Sequence, residues 1–221
     1  MHGERTKGER TRAVILNQAA RLATEVGLEG LSIGRLADAT GMSKSGIYAH
    51  FGSKRDLQLA TIQSARHTFV EDVLRPALRS PRGIARLLAI CGTYLSHVER
   101  RVFPGGCFFA AAAVDVGTRP GPVHDAIVAQ QLDWLSLLER LAREAMQCGD
   151  LEPDTDPTQL AFELQALLVA ANTAFILRGD AGAFARSLEA IRMRLHAPEV
   201  AAGRTPNRLA QLPDDSAMLA R

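Results

Sequence analysis

Between Thr40 and Leu57 the chain reads TGMSKSGIYAHFGSKRDL. Glycines at 41, 46 and 52 are interleaved with the hydroxyls of Ser43, Ser45 and Ser53 and the cations Lys44, Lys54 and Arg55. Small, hydroxylic and cationic residues of this kind contact phosphate, and glycine permits close backbone approach. Ile47 and Phe51 have the spacing of an inward face, while Tyr48 and His50 carry polar tips on amphipathic rings. From Leu31 to Arg55 the cations are Arg35, Lys44, Lys54 and Arg55, against Asp38 as the only acid. Before them lie Arg5, Lys7, Arg10 and Arg12, with Glu4 and Glu9. The whole chain has a net charge of only +2, so the basic charge is concentrated locally.

The flanking elements make this a helix-turn-helix. Ser32 is a good N-cap, and Ile33, Leu36 and Ala37 supply an apolar face over Ser32 to Thr40. Gly41-Met42 is the turn, and a short helix follows from Ser43 to His50. A helix presented in this way fits the major groove of a duplex, which is about 12 Å wide. A solvated Gly-rich corner is the alternative reading of the same spacing.

Every other element also reads as helix, so the fold class is all-α. Ile15, Ala19, Leu22 and Val26 recur at helical spacing, with a stop expected at Gly27. Ser53 caps a long helix whose end is expected near Arg75, before Pro76. Further helices are expected at about Arg82 to Arg100, from Cys107 onward, and over Val123 to Gln147, Pro157 to Arg178 and Ala181 to His196. The expected organisation is an N-terminal arm and three-helix DNA-binding domain over residues 1–55 and a helical-bundle regulatory and dimerisation domain over 56–197. A tail over 198–221 carries three prolines and no sustained apolar face, and is expected to be disordered.

The run from Gly27 to Ala60, GLEGLSIGRLADATGMSKSGIYAHFGSKRDLQLA, resembles the N-terminal domain of the tetracycline-repressor (TetR) family of bacterial transcription regulators. The likeness extends over about Thr11 to Ala60. GGCFFAAAAVDVGTRPGPV resembles, more loosely, the C-terminal domain of one branch of that family. The resemblance implies a homodimeric repressor or activator with a helical ligand-binding domain. Its DNA-contacting positions would fall on Ser43, Lys44, Ser45, Gly46, Tyr48, His50 and Lys54, with Thr40 as a further candidate.

A single short recognition helix reads few base pairs, so a two-fold dimer on a palindromic operator is expected. Leu160, Leu164, Leu167, Leu168 and Ala171, with Phe184, Leu188, Ile191 and Leu195, form stripes that would build a four-helix interface. The same stripes could instead pack within one chain.

Cys91, Tyr94, His97, Phe103, Cys107, Phe108, His124, Ile127 and Trp134 are candidates for an apolar effector pocket. The partners so implied are operator DNA and a small hydrophobic effector. Aromatics on helical faces also serve simply as core. Cys107, after two glycines at a helix start, could have a lowered thiol pKa. A thiol-dependent enzyme using Cys107 with His97 or His124 as base is the competing function, although no acid is evident to orient the histidine. The three cysteines are scattered without a CxxC pair, which points to a reducing compartment and gives no metal-site spacing. No cofactor motif is present. The charged N-terminus lacks an apolar signal region, and the stretch from Leu164 to Leu177 is expected to fall short of a membrane span. A cytoplasmic location is the resulting expectation.

Overall fold

The computed structural model describes residues 6–196. Arg5 and the expected tail over 198–221 lie outside the described residues. Among those described there is no strand.

The first helix, α1 (Lys7–Gly30), opens on a reciprocal capping box between Thr6 and Glu9. It runs past the stop expected at Gly27, with a kink there (φ 76°, ψ 161°). A Cβ at residue 27 would lie 2.5 Å from Asp115 Oδ1, so glycine both turns the chain and admits a carboxylate from a distant helix. α2 (Ile33–Thr40) starts on Ser32 and ends on Gly41 at φ 68°. α3 (Lys44–Phe51) starts one residue later than expected, because the Ser43 hydroxyl accepts from the Gly46 N–H as its N-cap.

α4 (Lys54–Phe69) continues without a break into a π-helical turn, Val70–Leu74, and then α5 (Arg75–Ala77). Pro76 was expected to end the helix. It has no N–H and its ring crowds the preceding turn, and local widening to a π-helix accommodates both defects. Thr93 donates a 3.0 Å hydrogen bond to the Val73 carbonyl, supplying a donor inside the widened turn.

The larger half comprises α6 (Ile84–Glu99), α7 (Phe108–Val116), α8 (Pro122–Gln147), α9 (Pro157–Arg178) and α10 (Gly182–His196). By length and hydropathy α9 does qualify as a membrane-span candidate, contrary to expectation. Its apolarity has a local cause: it packs against α6, α8 and α10.

Two apolar clusters form. Ile15, Leu16, Ala19, Leu31, Leu36, Ile47, Phe51 and Leu57 make the smaller one, which clamps α2 and α3 between the first half of α1 and the start of α4. The larger takes in Ala20, Ala23 and Leu28 of α1, Ile62, Ala65 and Phe69 of α4, and the helices beyond. α1 and α4 therefore belong to both, so motion of either is felt in both clusters.

The expected interface stripe points inward. Leu160, Leu164, Leu168, Ala171, Phe184, Ile191 and Leu195 are buried in the protomer's own core, and Leu167 and Leu188 pack against it. The seven buried side chains leave little surface for a second copy, while Leu167 and Leu188 stay part-exposed. Period 3.6 identifies an apolar face but not what covers it.

Candidate nucleic-acid interface and buried cavity

The position of α3 is set by its two buried residues. Ile47 and Phe51 enter the smaller core, and the guanidinium carbon of Arg12 on α1 sits 5.0 Å from the Phe51 ring centroid. Opposite them, Lys44, Ser45 and Tyr48 face solvent, Tyr48 with 56% of its surface exposed. A large aromatic left this exposed on a short helix, beside a lysine, is suited to a phosphate backbone.

The other predicted contacts are less free. Thr40 donates its hydroxyl back to the Leu36 carbonyl at 2.7 Å. Ser43 is engaged as the N-cap and lies 3.3 Å from the Ser45 hydroxyl. Gly46 and His50 are half-buried, His50 tilted against the Phe51 ring. Lys54 is held at the C-terminal end of α1, where its ammonium donates to the Glu29 carbonyl at 2.6 Å and lies 3.3 Å from the Glu29 carboxylate. Hydrogen bonds from Lys54 and Gln58 keep the Glu29 carboxyl below its usual pKa. Arg35 and Arg55, which the sequence marked only as local charge, are also exposed and have no side-chain partner among the described residues.

The predicted effector residues separate into three environments. Tyr94, Cys107 and Trp134 line one cavity, together with Phe69 and Phe109, which spacing had not singled out. Gln130, Gln131 and Gln165 supply its polar groups. The Trp134 indole donates to Gln165 Oε1 at 2.6 Å, and Gln131 donates to the Phe109 carbonyl at 3.1 Å. Among the described residues none that lines this cavity is charged, and its free volume of about 20 Å³ is room for little more than one water. His124 and Ile127 lie elsewhere, on a shallow hollow beside Gly117, with His124 paired to Asp125. Cys91, Phe103 and Phe108 are core, and burial pushes the Cys91 thiol up to about 12.

His97 is 1% exposed and also lies outside the cavity. Its Nδ1 is 2.6 Å from Asp72 Oδ2 on the π-helical turn, so an acid does orient this histidine. Its Nε2 has no hydrogen-bond partner among the described residues. Burial lowers its pKa, opposed by Asp72. Burial would raise that of Asp72, but hydrogen bonds from Arg100 and His97 outweigh it and hold the carboxyl low.

A thiol–imidazole pair is not assembled. Cys107 bonds to Tyr94 and to backbone N–H groups of α7, and neither histidine reaches it. Those N–H groups favour a thiolate, as the sequence suggested, yet burial outweighs them and the thiol pKa is raised.

Residues 15–61 match the family model described as bacterial regulatory proteins, tetR family, and residues 83–191 match the tetracyclin repressor-like C-terminal domain. The chain belongs to the TetR family. The transcriptional regulator AcuR of Cereibacter sphaeroides is 29% identical over 140 residues, which is 62% of this chain and 64% of AcuR, so less than two thirds of that relative is spanned. A TetR transcriptional regulator from Chloroflexus aurantiacus shares the fold with a TM-score of 0.79 at 24% identity, over 86% of this chain and 96% of the other. AibR, solved in complex with isovaleryl coenzyme A and operator DNA, is similar with a TM-score of 0.67 and 26% identity, over 86% of this chain and all of that one.

Proposed function

We propose that this chain is a cytoplasmic, ligand-responsive transcriptional repressor that binds a palindromic operator as a homodimer. The observation that carries the reading is α3. Its inner face is locked by Ile47 and Phe51, its outer face offers Lys44, Ser45 and Tyr48, and the flanking helices add the exposed Arg35 and Arg55. Residues 1–55 would hold the duplex and 56–197 would sense the ligand.

The cavity is the effector site in this reading. It is too small in its present state to hold more than water, so a ligand must displace its walls. One wall is Phe69, at the end of α4, the helix that begins beside α3. A ligand that displaces Phe69 would favour a second arrangement of α4, and only such differential affinity shifts an equilibrium between two states.

Dimerisation would use the outer face of α9. Phe162, Ala166, Ala170, Thr173 and Leu177 recur at helical spacing and are all exposed, Phe162 at 64% and Leu177 at 76%. They replace the inward stripe that hydrophobic spacing had suggested.

Selection of duplexes from a random DNA pool, followed by titration at several salt concentrations, tests the DNA-binding reading. Recovery of an inverted repeat, with affinity falling steeply as salt rises, is expected. Recovery of no enriched sequence would exclude the function.

A further inference from the structure

The cavity adjoins a second space. Phe69, Gln130 and Trp134 line the cavity on one side, and the same three residues line a surface groove of about 340 Å³ between α4 and α8 on the other. They are the partition between the two, and displacing the Trp134 indole would join them and enlarge the inner space. The two compartments differ in chemistry. The inner one has aromatic walls, amide groups and no charge, so an ionised group there would have no counter-charge. The outer one has an apolar floor that includes Leu74 and Leu137, and its cations are Arg66 and Arg140 against the single acid Asp133. Arg66 lies 3.2 Å from Asp133, whereas Arg140 is exposed and has no ion-pair partner among the described residues.

We propose that the effector is an amphiphile of two parts, a compact uncharged acyl head in the cavity and a phosphorylated carrier in the groove. This rests on the reading of the cavity as the effector site. The head's carbonyl would accept hydrogen bonds from the side-chain amides of Gln131 and Gln165. Its carrier must have the bulk of a drug-sized body to fill a groove of about 340 Å³, which a lone carboxylate would not. Arginine, with its planar fork of donors, suits phosphate at such a rim. A phosphate on Arg66 would also compete with Asp133 for it. That ion pair joins α4 to α8, so the tail of the ligand acts on the helix whose Phe69 is displaced by its head.

Trp134 is the only tryptophan of the chain, so its emission reports directly on the partition. The full chain is titrated with butyryl-coenzyme A and, in parallel, with butyryl-N-acetylcysteamine, which keeps the thioester head and lacks the phosphates. The expected result is a saturable change with butyryl-coenzyme A, weakened at least tenfold by Arg140→Glu and by raised salt. Binding of the neutral thioester is expected to be much weaker and indifferent to both. Absence of a saturable change with butyryl-coenzyme A overturns the proposal. So does equal affinity for the two thioesters, or an unchanged affinity in Arg140→Glu. Thioester binding by a chain that selects no duplex supports this inference while counting against the DNA-binding reading, so the two fail separately.

Discussion

The ammonium of Lys54 lies 2.6 Å from the backbone carbonyl of Glu29, and the N–H of Glu29 is itself bound by Asp115 Oδ2 at 3.2 Å. Three helices, α4, α1 and α7, thus meet at one residue. A lysine at the rim of the recognition surface shares its charge with Glu29, which must compete with any phosphate for it. Glu29→Gln should raise affinity for all duplexes several-fold at low salt and steepen the salt dependence. Lys54→Ala should do the reverse. Fluorescence anisotropy across a salt series reads both, and identical slopes in the two variants would contradict the competition.

Lys44 faces solvent on α3 and has no side-chain partner among the described residues. Lys44→Ala is expected to weaken binding to every sequence and reduce the salt slope by about 1. A change confined to one base position in a selection experiment would mean that Lys44 reads sequence rather than backbone.

His97 makes stability depend on pH. Burial lowers its folded-state pKa below the ordinary value, so the unfolded chain takes up a proton more readily. Its contribution is fully present above pH of about 6.5 and is lost as pH falls toward its folded value. Asp72, also lowered, loses its contribution in the same direction at more acid pH, below about 3.8. The midpoint of thermal unfolding should therefore drop between pH 7 and pH 5, and His97→Gln should flatten that drop. Equal pH dependence in wild type and variant would assign it to other groups.

Gly27→Ala is expected to destabilise the chain by about 2 kcal/mol, since φ 76° with ψ 161° is open essentially to glycine and the Cβ meets Asp115. Urea unfolding measures it. Asp115→Ala in the same background relieves the steric part but also removes the acceptor of the Glu29 N–H, so it is compared with Asp115→Ala alone, and the difference should leave the backbone cost.

On the proposed dimer face, Phe162→Asp with Leu177→Asp should convert dimer to monomer in sedimentation at micromolar concentration while leaving helix content unchanged. The inward Leu164→Ala should instead cost about 2–5 kcal/mol of fold stability, because it opens a hole in the protomer's core. The two outcomes separate interface from core.

Local rules carried the sequence reading a long way. Ser32, Ser53 and Asp156 are the side-chain caps expected, and the turns at Gly41 and Gly179 have positive φ, while Ser43 caps a helix it was expected to begin. Capping and chain reversal depend on neighbours three or four residues away, so one sequence contains the information. The composition of α3, with Ile47 and Phe51 as anchors, was legible for the same reason.

What spacing leaves open is which surface covers a given face. Leu160 to Ala171 has the same periodicity whether it meets its own core or a second copy, and only the packing of α9 on α8 and α10 decides. The cavity is similar. Phe69, Gln131 and Gln165 come from three helices far apart in the chain, and nothing local marks them as neighbours of Tyr94 and Trp134. Burial outweighs local electrostatics at Cys107, and the tie from Lys54 to Glu29 needs the close of α1 against the start of α4. Caps, most turns and the class of partner are thus written in short-range chemistry, while the helix ends at Gly27 and Pro76 yielded to tertiary contacts. The cavity, the free face of α9 and the charges at the duplex rim arise from contacts between distant residues, and tertiary structure alone determines them.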